Sequence, residues 1–232
     1  MTDARRERWR EHRRTRREQF VAAAVRAVLS HGPDVGMAEI AAEAGVTKPV
    51  LYRHFRDKAD LYIAVGLQAT DRLMAELLPA LSDDGTIMQR IRRAIASYVS
   101  FVDRYRDLYR FVAQRPISAH RDIVAEDRSR IADELSTLLA SYPNVFGPDA
   151  HIAGPSAYGI VGLVQQATEW WLDHTQEMER EALIDHLTQL IWFGVDGILR
   201  GRQIVLDPNV PLTADSTAGS TADSTADGGT TH

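Results

Sequence analysis

The chain has 232 residues, 44% of them apolar, enough for one large domain or two small ones. It has no cysteine, so disulfides and thiol catalysis are excluded and a reducing cytoplasm is the expected location. No apolar run approaches the roughly 18 residues of a membrane span, so no membrane insertion is expected. The net charge of −5 is unevenly spread. Residues 1–58 hold 13 Lys/Arg against 8 Asp/Glu, while the remainder holds 14 against 24. A basic head on an acidic body suggests that the head meets a polyanion.

Residues 1–17 carry eight arginines and three acids, and read either as a solvated helical extension or as a disordered arm. As a functional element this arm would track phosphates or enter a minor groove. From Phe20 the chain is helical in pattern, with Val21, Ala24, Val25, Val28 and Leu29 at three- and four-residue steps until Gly32-Pro33. A short helix then opens at Gly36, with Glu39 at the capping-box position and Met37, Ile40, Ala41 and Ala44 on its apolar face. Gly45 is suited to end it with positive φ. Thr47 caps the next helix, and Pro49 lies in its first turn, where a missing N–H costs nothing.

Residues 37–55 therefore read as helix, tight turn, helix. Such a unit lays the N-terminus of its second helix in a major groove. Thr47 and Lys48 stand at that end. Leu51 and Phe55 share the inward face, leaving Tyr52 and Arg53 on the other side to reach phosphates. Lys58 begins the following helix, where an ammonium and a backbone N–H can together hold a phosphate. The candidate DNA-binding set is Thr47, Lys48, Pro49, Tyr52, Arg53, His54 and Lys58.

Helices are expected at about 58–78, 86–105, 107–114, 119–141, 149–174 and 179–201, with breaks at Pro79, 82–85, Pro116, 142–148 and 174–178. Gly154-Pro155 should start its helix late or kink it. No segment alternates as a strand. The final stretch is low in complexity, repeats TADST, and is too poor in large apolar residues to repay its ordering entropy.

The segments FVAAAVRAVLSHG and MAEIAAEAGVTKPVLYRHFRDKADLYIAV resemble the DNA-binding head of the TetR family of bacterial transcriptional regulators. The resemblance covers residues 18–65 and rests on Ala23-Ala24, Gly32, Ile40-Ala41, Ala44-Gly45-Val46, Leu51-Tyr52, Phe55, Lys58 and Leu61. Two departures stand out: the loop from Gly32 to Ile40 is one residue short, and Gly36 replaces the usual Ser/Thr cap. The resemblance implies an all-α homodimer, with a three-helix DNA-binding head and a C-terminal helical domain for effector binding and dimerisation. The expected organisation is a basic arm at 1–17, the head at 18–62, the second domain at 63–206 and a disordered tail at 207–232. The wording around KPVLYRHF and a late tryptophan pair are also similar to actinobacterial regulators of lipid metabolism.

The expected function is ligand-responsive repression: release from a palindromic double-stranded DNA operator by a small apolar or amphipathic effector such as a fatty acid or acyl-CoA. Phe101, Tyr105, Phe111, Gln166 and Trp170 are the expected effector-binding residues, because aromatics and polar groups converge on helices that the family places around its ligand. Leu183, Leu187, Leu190, Ile191, Gly194 and Ile198 form one apolar stripe, and Ala157, Val161, Val164, Thr168 and Trp171 another. A lone chain could bury both, or two chains could join them in a four-helix bundle. Asp196 is placed to pair with Arg200 one turn later. A constitutive DNA-binding dimer without an effector is the alternative. Catalysis has little to support it, since no nucleophile elbow, zinc-protease pair or phosphate-binding glycine loop is present. No cofactor or metal is expected.

Overall fold

In a computed structural model of the chain, Phe20, Val21, Ala24, Val25 and Val28 line the buried face of one long helix, α1 (Asp3–His31). The structure describes residues 3–82, 84–113, 123–141 and 152–210. The arginine-rich arm is thus continuous with α1 from Asp3. Helix α1 ends where Gly32 takes a φ of +88°, and the Gly32 N–H donates to the Val28 carbonyl at 2.8 Å.

Helices α2 (Met37–Glu43) and α3 (Lys48–Tyr52) follow. Gly36 supplies no side-chain cap, but the Glu39 carboxylate accepts its N–H at 3.0 Å, half of a capping box. Those backbone bonds hold the Glu39 carboxyl below its ordinary range. Gly45 stands at φ +64°, its N–H donating to Ala42 and that of Val46 to Ala41. This Schellman geometry needs a residue without a Cβ at the left-handed position, and it aims the chain into α3.

Helix α4 (Lys58–Ser82) is unbroken, contrary to the expected break at Pro79. Pro79 lies in its last turn: it forgoes its own bond to the Ala75 carbonyl and crowds that carbonyl, yet the helix runs on to Ser82. Then come α5 (Ile87–Arg104), α6 (Arg106–Ala113), α7 (Ile123–Ala140), α8 (Ala153–Asp173) and α9 (Arg180–Gly201). Thr86 caps α5, accepting the Gln89 N–H at 3.3 Å. Gly154-Pro155 falls in the first turn of α8, which is described from Ala153, and proline is tolerated there because N–H groups of the first turn have no intrahelical partner. The expected helix starts at 119 and 149, the breaks at Pro116 and 142–148, and the tail beyond Val210 lie outside the described residues. No β-strand forms among the described residues, and the fold is all-α.

Two hydrophobic cores share α4. Leu61, Tyr62 and Val65 complete the head core around Phe20, Ile40, Leu51 and Phe55. Leu73, Met74 and Leu77 belong to the body core with α5, α7, α8 and α9. Helix α6 also enters the head: Leu108 and Phe111 are buried there, and Phe111 meets Tyr62 edge-on at 4.7 Å. The expected boundary at residue 62 falls inside α4. Leu51 is fully buried, and truncating it to alanine should cost about 2–5 kcal/mol.

Candidate nucleic-acid interface and effector cavity

Helix α3 is amphipathic over five residues. Leu51 and nearby Phe55 are buried, whereas Thr47, Lys48, Pro49 and Arg53 are exposed and Tyr52 is 48% exposed. Thr47 has the extended backbone of an N-cap, yet its hydroxyl makes no capping bond. Lys58 is exposed at the start of α4, its ammonium 5.3 Å from the Tyr62 ring centre. Six of the seven expected residues therefore lie on open surface around one short helix.

His54 is the exception. It is half-buried in the seam with α1, its ring edge-on to Phe20 at 5.0 Å. Burial, followed by the nearby cations Arg13, Arg16, Arg17 and His12, holds its pKa below the ordinary 6.5. Its backbone carbonyl accepts from Arg17 Nη1 at 2.7 Å.

Arg17 is a structural residue of the head that sequence reasoning misses. Its guanidinium also meets the Asp60 carboxylate at 2.7 and 3.3 Å, and lies 4.2 Å from the Phe55 ring centre. Asp60 in turn accepts the Arg56 N–H at 3.0 Å, while the Asp60 N–H donates to Asp57 at 2.8 Å. Chiefly through Arg17, the Asp60 carboxyl titrates below its ordinary 3.8. One arginine thus clamps α1 to the turn joining α3 and α4. Nothing in the local pattern distinguishes Arg17 from its seven arm neighbours; only the helical phase that places it one turn before Phe20 does so.

The body holds a partly open apolar cavity of about 170 Å³, walled by α4, α5, α7, α8 and α9. That exceeds by far the roughly 10–15 Å³ needed to hold one water. Its lining is almost wholly aliphatic, with Leu77, Ile91, Ile95, Leu135, Val161 and Ile191 among the walls. Arg90, Tyr98 and Gln165 also line it, but chiefly through their apolar atoms. A second cavity of about 40 Å³ lies between α4, α5 and α6. Along α5, residues 90 to 98 face the first space and residues 98 to 105 the second, so the two succeed one another toward the head.

The expected effector residues are divided by this arrangement. Phe101 and Tyr105 line the smaller cavity. Phe111 is in the head core. Gln166 and Trp170 lie on the outer face of α8, Trp170 at 47% exposure and stacked on His174 at 4.1 Å. Their neighbours Gln165 and Trp171 point inward instead. One residue of helix is about 100° of rotation, which separates adjacent residues onto different faces.

The two apolar stripes also resolve. Leu183, Leu187, Ile191, Ala157, Val161, Val164, Thr168 and Trp171 are buried within this chain. An outer stripe remains exposed: Leu163 and Trp170 on α8, and Leu190, Phe193 and Ile198 on α9. Gly159, Gly162, Gly194 and Gly197 have open space where a Cβ would stand. Asp196 pairs with Arg200 at 2.7 Å, as the spacing predicts.

A basic, helix-turn-helix head on a helical body with an apolar cavity defines a ligand-sensing class of DNA-binding regulator. Comparison with known proteins agrees. The profile described as "Bacterial regulatory proteins, tetR family" matches residues 20–65, and that described as "Tetracyclin repressor-like, C-terminal domain" matches residues 87–194. An uncharacterised helix-turn-helix-type transcriptional regulator of Mycobacterium tuberculosis is 38% identical over 199 residues, covering 85% of each chain. The transcriptional activator FasR of Mycolicibacterium smegmatis is 29% identical over 186 residues, covering 79% of this chain and 84% of its own. Among solved structures, FadR of Bacillus subtilis in complex with stearoyl-CoA has a TM-score of 0.58 at 17% identity, covering 75% of this chain and 96% of its own. The chain belongs to the TetR family of bacterial transcriptional regulators. It is a regulator by kinship, not an enzyme. No helix among the described residues is long and apolar enough to cross a membrane.

Proposed function

We propose that this regulator is a homodimeric repressor that leaves a palindromic operator when a long apolar or amphipathic molecule, such as a fatty acid or acyl-CoA, occupies the body cavity. The observation that carries the proposal is the aliphatic cavity itself, set against α4, which continues into the head. The stearoyl-CoA complex of FadR supports the effector class, as a bound molecule in a protein of the same fold.

On the DNA side, Thr47 and Lys48 meet base edges and phosphates from the start of α3. Tyr52, Arg53 and Lys58 contact the backbone, and Pro49 packs beside it. His54 acts indirectly, by seating α3 on α1. Two heads would read half-sites about 34–36 Å apart. A ligand that shifts α4 alters this spacing, and coupling of about 1–3 kcal/mol gives a 5- to 150-fold change in operator affinity.

The test begins with operator selection on the purified protein, followed by titration with fatty acids and acyl-CoAs. An effector should raise the melting temperature by mass action and lower operator affinity. Lys48→Ala and Tyr52→Ala should weaken operator binding with the melting temperature unchanged. No selected sequence, or binding of acids and acyl-CoAs of every chain length without operator release, would refute the proposal. The relative FasR is named an activator, which favours a second reading in which the bound dimer switches transcription on. Reporter transcription with and without the regulator gene decides between the two signs.

A further inference from the structure

The two body cavities meet at the same pair of side chains. Tyr98 of α5 and Gln165 of α8 line both spaces. Gln165 is only 6% exposed, and its Oε1 accepts a bond from Arg128 Nε at 2.7 Å. Beyond this partition the smaller space is walled by Phe101, Tyr105, Leu108 and Val112. Leu108 belongs to the head core and Val112 packs against it.

The polarity at the partition calls for a reason. An aliphatic side chain of similar size would divide the spaces without the cost of burying an amide. A hydrogen-bonded amide differs in one respect: it is held in one position while its partner is engaged, and displacing it costs that bond. Arg128 lies on α7, which packs on α8, so the bond also ties these two helices across the cavity.

Geometry then sets a length requirement. Arg90, whose guanidinium donates to the Leu81 carbonyl at 2.9 Å, lines the large cavity toward its end farther from the head, one turn after Ile87. Tyr98 is eight residues further along α5, about 12 Å at 1.5 Å per residue. A short chain seated at the Arg90 end would stop before the partition. A longer chain would reach it, and each methylene beyond would gain apolar burial among Phe101, Tyr105 and Leu108.

We propose that Gln165, pinned by Arg128, is a gate that divides the effector space, so that only a chain long enough to displace it presses on α6 and operates the head. This rests on the cavity being the effector site. Short acids would then be silent occupants: bound, stabilising, and without effect on DNA. The device makes chain length, rather than binding alone, the signal.

The experiment uses the full chain, its selected operator and a series of straight-chain fatty acids from octanoic acid upward. Melting temperature reads occupancy, and fluorescence anisotropy of labelled operator reads release. The wild type should show melting shifts with acids that do not release DNA, and then a length at which operator affinity falls about 5- to 150-fold. Gln165→Ala should move that length to shorter acids, and Arg128→Ala should do the same from outside the cavity wall. Gln165→Phe should keep the melting shifts while abolishing release. Should Gln165→Ala fail to fold, Arg128→Ala decides alone. Release that begins at the same length in the wild type and the variants overturns the gate and leaves the effector reading standing. No melting shift with any acid overturns both.

Discussion

Arg17 shows how one side chain can hold a reading head together. It binds the His54 carbonyl and the Asp60 carboxylate while covering Phe55, so it ties α1 to both ends of the turn that follows α3. Arg17→Ala leaves Asp60, 14% exposed, without its main partner, and should lower stability by about 1–3 kcal/mol. Chemical denaturation measures this, and Arg17→Lys should recover only part of it because lysine has no planar fork to match the carboxylate. The same seam predicts a pH dependence. His54 has a folded pKa below 6.5, so its contribution to stability is fully present above that value and is lost as pH falls through the folded pKa. Asp60, also depressed, adds a second loss in the same direction below its ordinary 3.8. Melting curves should therefore decline on acidification in two windows, the upper one flattened in His54→Gln. The outward position of Tyr52 and the inward positions of Leu51 and Phe55 were legible from helical spacing. The seat of His54 was not, because it depends on α1, 34 residues earlier in the chain. The inward seat of Gln165 was legible: the stripe of Ala157, Val161, Val164, Thr168 and Trp171 fixes the phase of α8, and Gln165, four residues after Val161, shares that face, whereas naming Gln166 and Trp170 as effector residues ran against it.

At the scale of elements, the arm carries the clearest expectation. Residues 3–16 project from the clamp as helix, roughly 21 Å at 1.5 Å per residue. It has little packing to sustain it; Arg14 pairs with Glu18, and Arg13 lies 5.9 Å from the exposed Trp9 ring. Short helices without tertiary support are marginal in water, so a nearby polyanion should order this one. Deleting residues 1–11 is expected to leave the melting temperature nearly unchanged. It should reduce the slope of log affinity against log salt by about 0.9 for each phosphate that the arm had neutralised. Anisotropy titrations over a salt series test this, and an unchanged slope would place the arm away from DNA. Helix starts and stops were mostly legible because Gly32, Gly45 and Thr86 act through local backbone chemistry. Pro79 misled for a local reason too: proline disrupts an interior turn, but this one sits at a helix end that the chain leaves anyway.

For the whole molecule, the outer stripe of α8 and α9 is the feature in search of a partner. Leu163, Trp170, Leu190, Phe193 and Ile198 place large apolar groups in solvent beside four glycines that allow close helix approach. Apolar exposure of this kind marks an association surface. Phe193, 67% exposed, is the outermost of them. Phe193→Glu should leave the fold intact by circular dichroism and shift the protein from dimer to monomer in analytical ultracentrifugation. Operator binding should then drop steeply, since each head alone reads half a site. A dimer that survives this change would move the interface elsewhere. The all-α architecture was readable from the sequence, whereas which apolar stripe turns outward depended on the phase of helices that pack on one another.

The burial of Leu108 and Phe111 within the head has a consequence for exchange between relatives. Head and body look separable along the chain, yet the head's hydrophobic interior is finished by residues more than forty positions downstream of α4's start. A graft of residues 1–62 onto another family member would meet a foreign α6, and Tyr62 would no longer find Phe111 edge-on beside it. The unit that can be transplanted is therefore a noncontiguous one, residues 1–66 together with the inward face of α6. A chimera that separates the head from α6 must first repack that face.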